Sequence, residues 1–404
     1  MTAEPRRARP RWRRRLLFIA IALLVALTVT AALLELGFRL FWQLPPQYAM
    51  FDEVGLYDET ADGHTCFRPG FRGVLEARDT RTELAVNALG MRGDEVGDKR
   101  PGELRVLVLG DSMVFGFMVD QDHSLPALLA TELAARGRPA TVGNGGIPGF
   151  GTKHMVEHMA WLDPKFEPDA FVFCSSPGND PIDDMRIDLA VCGGLRFDGP
   201  MARLVRTSRR FRLAVHSRAW LWLETWIFVN HPSWSPLTTV PPNSAEVATM
   251  AGLPGKYPGH GRAFAGLFLD WIDEQHVFEP GTSPVIPRVY ANIRASFERA
   301  QAIAAGRPLV FAVLPTLWQF DDAARAERLP QLGFDPARLE KGLAIRRWVA
   351  VGEQLSVPTI DVTPPLAAAP DHAALFVDGG GHYSRAGGEI VARAIADALA
   401  PLLR

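Results

Sequence analysis

The chain has 404 residues, with 43 Lys and Arg against 45 Asp and Glu and a formal net charge of -2. That balance excludes the broad basic surface a nucleic-acid partner needs. Its three cysteines, Cys66, Cys174 and Cys192, have no zinc or CxxC spacing, and with 48% apolar residues the chain has core enough without a disulfide scaffold. A Cys174–Cys192 bridge is open to it in an oxidising compartment, but buried free thiols are the simpler expectation.

Residues 6–15 form a dense arginine cluster, and Leu16 to Leu34 follows as an uncharged apolar run ending at Glu35. At about 1.5 Å per residue the run, extended by Leu36-Gly37-Phe38, covers a hydrocarbon core of about 30 Å. It is longer than a secretory h-region and has no small-x-small cleavage site after it, so residues 1–43 read as a cytoplasmic basic tail and an uncleaved anchor. The positive-inside rule places the amino terminus in the cytoplasm and the remainder outside the inner membrane, in the periplasm or beyond. Residues 44–103, with Pro45, Pro46, scattered glycines and Asn87-Ala88-Leu89-Gly90-Met91-Arg92-Gly93, read as an irregular lead-in packed on the edge of a domain.

From residue 104 the pattern is α/β. Arg105 to Leu109 is an apolar run suited to a strand buried on both faces, and it breaks into Gly110-Asp111-Ser112. Helices are predicted at Leu125 to Ala135, Thr152 to Leu162, Tyr290 to Ala305, Leu339 to Leu355 and Arg385 to Leu399. The intervening strands are predicted at Ala140 to Val142, Asp169 to Cys174, Pro308 to Leu314 and Pro358 to Val362. This alternation predicts one doubly wound parallel sheet covered on both faces over residues 104–404. Residues 181–285 interrupt it as an inserted cap. They comprise an aromatic helix over Ser217 to Asn230, a Pro/Gly/Ser-rich loop at 231–261 and a short helix near Phe264 to Glu274. The near-helical spacing of Trp220, Trp222 and Trp226 predicts core packing, with an acyl chain or the bilayer surface as the alternative.

Polar or glycine-rich breaks follow the first, second, third and fifth predicted strands, so all meet at the carboxyl edge of the sheet, where open α/β sheets bind ligands. Together they supply the parts of serine ester chemistry: the Ser112 hydroxyl, the His382 imidazole, the Asp378 carboxylate, and oxyanion donors at Gly146 and Asn179. Each has a plainer reading alone. Ser112 and Asp111 are good helix caps, Gly146 a turn glycine, Asn179-Asp180 a helix start, and His382 a loop residue before the Ser384 cap.

Gly110-Asp111-Ser112 after a strand resembles the first block of the SGNH/GDSL hydrolases, Asn144-Gly145-Gly146-Ile147-Pro148-Gly149 their second, Gly178-Asn179-Asp180 their third, and Asp378 with His382 their last. The resemblance covers most of 104–182 and 286–404. It implies a flavodoxin-like three-layer α/β/α fold and acyl transfer through a serine ester, with no cofactor and no metal. It implies Ser112 as nucleophile, His382 as base and then acid, and the N–H groups of Ser112 and Gly146 with the Asn179 amide as oxyanion hole, leaving Asp111 and Asp180 structural. Two positions depart from the pattern. Pro177 stands where the third block has glycine, and Asp378 is one residue early, Gly379 holding the usual aspartate place. Glycines at 379–381 would let that loop bulge; a Ser–His dyad oriented by a carbonyl is the alternative.

The expected activity is hydrolysis of O-acyl esters on envelope glycans, or of small or lipid esters. The alternatives are O-acyl transfer by the same residues, or a binding or assembly role on an inactive scaffold. His154 and His158 stand at i, i+4 but lack a third ligand and read as a solvated helix face. Asp183-Asp184 and Asp321-Asp322 read as helix-start or surface acids.

Overall fold

The computed structural model describes residues 11–42, 55–77, 80–185, 188–231, 234, 286–331, 340–377 and 379–403. Asp378, the loop expected after residue 231 (Trp234 apart) and the helix expected near Phe264 to Glu274 lie outside the described residues.

The amino-terminal apolar run is one helix, α1 (Arg11–Phe41), long and apolar enough to cross a membrane over Arg14–Phe41, with mean hydropathy 2.8. The lead-in is more regular than its composition suggests. Strand β1 (Tyr57–Glu59) pairs antiparallel with β2 (Thr65–Phe67), and β3 (Arg72–Ala77) with β4 (Thr80–Ala85). In β4, Thr82 and Leu84 are buried while Arg81 and Glu83 are exposed, the period-two pattern of a strand with one face on the core. Leu56, Phe67, Leu75, Leu84, Val86 and Met91 join one of the main apolar clusters. The expectation of an irregular segment fails because strands this short carry little intrinsic preference and form through packing.

The alternating segment forms β5 (Arg105–Gly110), β6 (Thr141–Gly146), β7 (Ala170–Ser175), and, after the insertion, the strands Leu309–Val313 and Thr359–Asp361. With β8 (Leu189–Cys192) and β9 (Leu195–Asp198) forming an antiparallel hairpin inside the insertion, the last two are β10 and β11. The sheet is parallel throughout, in the order β11-β10-β7-β5-β6. Counting only its own strands, that is 2-1-3-4-5, the flavodoxin-like doubly wound order.

The pleat sorts each strand between two cores. Leu107, Leu109, Phe171, Phe173, Phe311 and Val313 face one side, with Met155, Val156 and Met159 of Thr152–Phe166, Ile293 and Phe297 of Ile286–Ala304, and Trp348 of Leu343–Gln354. Val106, Val108, Ala170, Val172, Val310 and Ala312 face the other, against Leu129 and Leu133 of Leu125–Ala135 and Val391 and Ile395 of Arg385–Leu399. Strands buried on both faces must be apolar at nearly every position, which is why they read as continuous runs. Cys66 and Cys174 are buried free thiols and Cys192 is half-buried and free.

The described part of the insertion holds short helices at Asp180–Met185, Gly199–Thr207 and Arg209–Val215, and a longer one at Arg218–Asn230. The last three share with the β8–β9 hairpin a small core that includes Phe197, Leu204, Phe211 and Leu221. The tryptophans expected to be buried there are not: Trp220, Trp222 and Trp226 are 39%, 37% and 42% exposed. Period alone says that a helix has an apolar side, not that the protein covers it.

Phe297 is fully buried and stacks on Phe311 at 4.1 Å, with its edge toward Phe173 at 5.7 Å. Phe297→Ala is expected to cost about 3–5 kcal/mol of stability through lost burial and the cavity left behind, read as a lowered midpoint in urea unfolding of the detergent-solubilised chain.

Candidate active site

Strand β5 ends at Gly110, where a Cβ would collide with the Val114 side chain, so only glycine lets the chain turn at once into the helix Ser112–Phe115. Asp111 caps that turn: it is buried, and its Oδ1 accepts from the Met113 N–H at 2.9 Å. The turn ends at Gly116 with φ +83°. Buried Arg92 then donates to the carbonyls of Phe115, Gly116 and Val119 at 3.0, 2.5 and 2.7 Å. The loop that begins at Asn87 therefore braces the serine turn from behind.

His382 arrives from the far end of the chain, and its Nε2 lies 2.8 Å from Ser112 Oγ. Its loop is closed by the Phe376–Tyr383 bridge and by Val377 N–H donating to the His382 carbonyl at 2.9 Å. Gly379 and Gly380 have φ of +79° and +125°, values that L side chains rarely adopt, and the Gly380 carbonyl accepts from Leu317 N–H at 2.9 Å. The Phe117 ring packs on the imidazole at 4.8 Å. Behind the pair, a cavity of only about 10 Å³ among Ser112, Met113, Leu125, His382 and Tyr383 leaves no space for an acyl chain. A larger cavity, about 1000 Å³, lies at the opposite edge of the sheet, beside Leu104, Asp169, Pro308 and Pro358.

The oxyanion donors need correction. Strand β6 runs on to Gly146, whose N–H donates to Asn144 Oδ1 at 3.0 Å and whose absent side chain makes room for the backbone of Val114 and Phe115. Gly146 is therefore a packing glycine with its N–H engaged. The turn lies after it: Phe150 N–H donates to the Ile147 carbonyl at 3.1 Å, and Gly149 has φ +69°. Pro148-Gly149 at the centre is the signature of a type II turn. The Pro148 carbonyl accepts from buried Arg196, on β9, whose guanidinium lies over the rings of Tyr57 and Phe150. In a trans peptide the carbonyl and the N–H point oppositely, so the Gly149 N–H is turned away from Arg196. Neither it nor the Ser112 N–H has an acceptor among the described residues.

Asn179, at the end of the β7 loop, donates from Nδ2 to Asp111 Oδ2 at 2.8 Å and to Asp183 Oδ2 at 2.9 Å. Its amide is thus fixed beside the serine turn with its hydrogens on carboxylates. Asp183 stands in the first turn of Asp180–Met185 and Asp184 near its end, and both are buried rather than at the surface. Asp184 accepts from Thr152 Oγ1 at 2.6 Å and Lys153 N–H at 2.8 Å, satisfying the amino end of Thr152–Phe166. Asp180 accepts from Ser175 Oγ at 2.6 Å and Ser176 N–H at 2.9 Å, and Trp348 Nε1 donates to the same serine at 2.8 Å. Burial and the neighbouring Asp111 push the Asp180 carboxyl well above the usual range. Burial also raises Asp111, against the opposing Asn179 and Met113 bonds, and lifts Asp184 to about 6.

His154 and His158 do not form a solvated face. Both are buried, because the β1–β2 hairpin covers this side of the helix and brings His64 Nε2 to 2.9 Å from His158 Nδ1. Burial pushes His158 well below its ordinary value and His64 down to about 4, so these rings pack as neutral aromatics with Phe150 and Trp161. Asp321 does begin a helix, accepting from Ala324 N–H at 2.7 Å, and also meets His372 Nδ1 at 2.7 Å. Among the described residues, Asp120, Asp122 and His123 can bring ligand atoms within 4.8 Å of one another, but both carboxylates are exposed.

No protein-family model matches the chain, and neither does any curated protein. Solved structures similar to it include a lipase/acylhydrolase from Enterococcus faecalis (14% identity, 74% of this chain and 97% of that one, TM-score 0.38). A GDSL-like lipase from Bacteroides thetaiotaomicron (11%, 76% and 93%, TM-score 0.35) and the esterase EstA from Pseudoalteromonas sp. (11%, 73% and 96%, TM-score 0.35) are similar too. The chemistry argued below rests on the geometry of the site itself.

Because its carboxyl titrates higher in the fold than in the unfolded chain, Asp184 contributes stability that is fully present below about 3.8 and is lost as pH rises through about 6. Asp184→Asn keeps an acceptor for Lys153 and removes the titration. It is expected to flatten the stability change between pH 4 and 6, on the order of 2 kcal/mol, in thermal unfolding series. Arg92→Leu strands three buried carbonyls and is expected to lower stability by roughly 3 kcal/mol, measured the same way at pH 7.

Proposed function

We propose that this chain is a serine ester hydrolase of the SGNH/GDSL type. The observation that carries the reading is the 2.8 Å contact between His382 Nε2 and Ser112 Oγ, at the carboxyl edge of a doubly wound sheet. A capped serine with no base would fit a binding scaffold; a serine hydrogen-bonded to an imidazole is equipped for turnover.

In this mechanism Ser112 Oγ attacks the ester carbonyl carbon as its proton passes to His382 Nε2. The carbonyl oxygen becomes an oxyanion that accepts from the N–H groups of Ser112 and Gly149. The Asn179 Nδ2–H that donates to Asp183 at 2.9 Å would turn to donate its hydrogen bond to the same oxygen, keeping its proton. Collapse breaks the bond to the alcohol, which leaves with the proton from His382. Water then repeats the sequence and frees the acid; a sugar hydroxyl in place of water would make the same acyl-enzyme a transferase. Asp378 is the proposed partner of His382, and the glycines that follow it supply the backbone freedom its displaced position requires.

The substrate class follows from location. The arginine-rich start and apolar length of α1 support an inner-membrane anchor with its amino end in the cytoplasm, so the domain would meet O-acyl groups of envelope glycans, or small or lipid esters, outside the cytoplasm.

Fluorophosphonate labelling of the full chain is expected to modify Ser112, to vanish in Ser112→Ala, and to fall at least ~10³-fold in rate in His382→Ala. Hydrolysis of a short acyl ester should fall in parallel. A folded wild-type chain that takes no label would overturn the hydrolase reading.

A further inference from the structure

The anchor helix is not a free tether. Glu35, near the carboxyl end of α1, accepts from Ser217 Oγ at 2.7 Å and from the N–H groups of Arg218 and Ala219 at 3.0 and 3.1 Å. The carboxylate thereby caps the helix Arg218–Asn230 from outside that helix's own sequence. Arg39 reinforces the joint, bonding Glu35 at 2.7 Å and the His216 carbonyl at 3.2 Å, and Phe38 packs on Trp222 at 5.1 Å.

Beyond that contact the Arg218–Asn230 helix shows an apolar side to the outside. At 3.6 residues per turn, Trp222, Leu223 and Trp226 share a side opposite buried Leu221 and Glu224 and are 37–43% exposed, while Trp220, 39% exposed, stands beside Glu224 at the margin of that side. The helix's charged residues, Arg218 and Glu224, lie off that side, and Glu224 is held by Trp220 Nε1 at 3.0 Å and Arg210 at 2.6 Å. His231 continues the patch, lying 5.2 Å from the Trp226 ring and stacked at 4.7 Å on Trp234, which is 69% exposed. Arg209 and Arg212 are exposed on the preceding helix. A water-facing helix side is ordinarily polar.

We propose that this face is a second membrane contact: the Arg218–Asn230 helix lies in the outer lipid–water interface and seats the domain on the bilayer. The inference rests on reading α1 as a membrane span, and α1 fixes the depth. From Arg15 to Glu35 the helix rises about 30 Å, the thickness of the hydrocarbon core. With the arginines at the inner boundary, Glu35 and the helix it caps stand at the outer one. Tryptophan is the side chain suited to that layer, and exposed arginines suit anionic headgroups. Phe38 joins this surface to α1 through its contact with Trp222.

The test uses the full chain in nanodiscs of equimolar phosphatidylcholine and phosphatidylglycerol, on a Cys192→Ser background, with one spin label at Leu223→Cys, Leu27→Cys or Ala295→Cys. Collision with oxygen against a water-soluble nickel chelate reports depth. The ratio of oxygen to nickel accessibility is expected to be several-fold higher at 223 than at exposed Ala295 in the domain, and highest at 27. A label at 223 as nickel-accessible as that at 295, with 27 oxygen-rich, would overturn the docking and leave the anchor standing. A nickel-accessible label at 27 would overturn the anchor and the docking with it. A label at 223 shielded from both reagents would mean that protein covers the face, and would overturn the lipid contact. Trp226→Cys, on the same side, supplies a second position should Leu223→Cys fail to fold.

Discussion

Asp111 is buried where the sheet changes direction between β5 and β7, and the rest of the site is built onto it. One oxygen holds the turn that presents Ser112, and the other takes the Asn179 amide from the next strand's loop. From Asn179 the network runs to Asp183, and the adjoining Asp184 closes the amino end of a core helix. Burying so many carboxyls together is unfavourable unless hydrogen bonds or protonation offset it. Here both occur: donors converge on Asp111 and Asp184, and Asp180 is driven toward its neutral form. What results is a hydrogen-bonded floor beneath the Ser112 and His382 side chains.

Much of this was legible before any coordinates. Strands buried on both faces advertise themselves as unbroken apolar runs, and a Gly-Asp-Ser break after one of them points to the sheet edge. The Leu125–Ala135 and Arg385–Leu399 helices fall at the residues expected of them. Ser112 and His382, 270 residues apart in the chain, are brought into contact as their motifs implied. The end of the second strand differs from expectation for a physical reason. Gly143-Asn144-Gly145-Gly146 has poor strand preference, so β6 seemed to end at Val142, yet pairing with β5 carries it to Gly146. The true corner then falls at Pro148-Gly149, a turn signature available in the sequence and overlooked.

Other residues escaped because their significance lies in what covers them. His154, His158 and Asp184 look like surface groups by type, and only the hairpin at 57–67 and the helix packing bury them. Trp220, Trp222 and Trp226 erred the other way, since a helical period cannot say whether protein or another medium meets it. Arg92 and Arg196 left almost no trace: a lone arginine in a polar loop or a short strand gives no sign that its guanidinium will be spent on backbone carbonyls.

Arg196 also changes how the inserted region is to be regarded. Cut from the rest, residues 181–285 look like an accessory that a simpler enzyme could do without. Yet the hairpin at 189–198 sends its arginine into the main domain to grip the Pro148 carbonyl, and with it the orientation of the adjoining peptide. The scaffold and its elaboration are therefore not separable modules. Grafting the insertion onto another sheet domain, or trimming it away, would release the Pro148 carbonyl and with it the peptide at that corner.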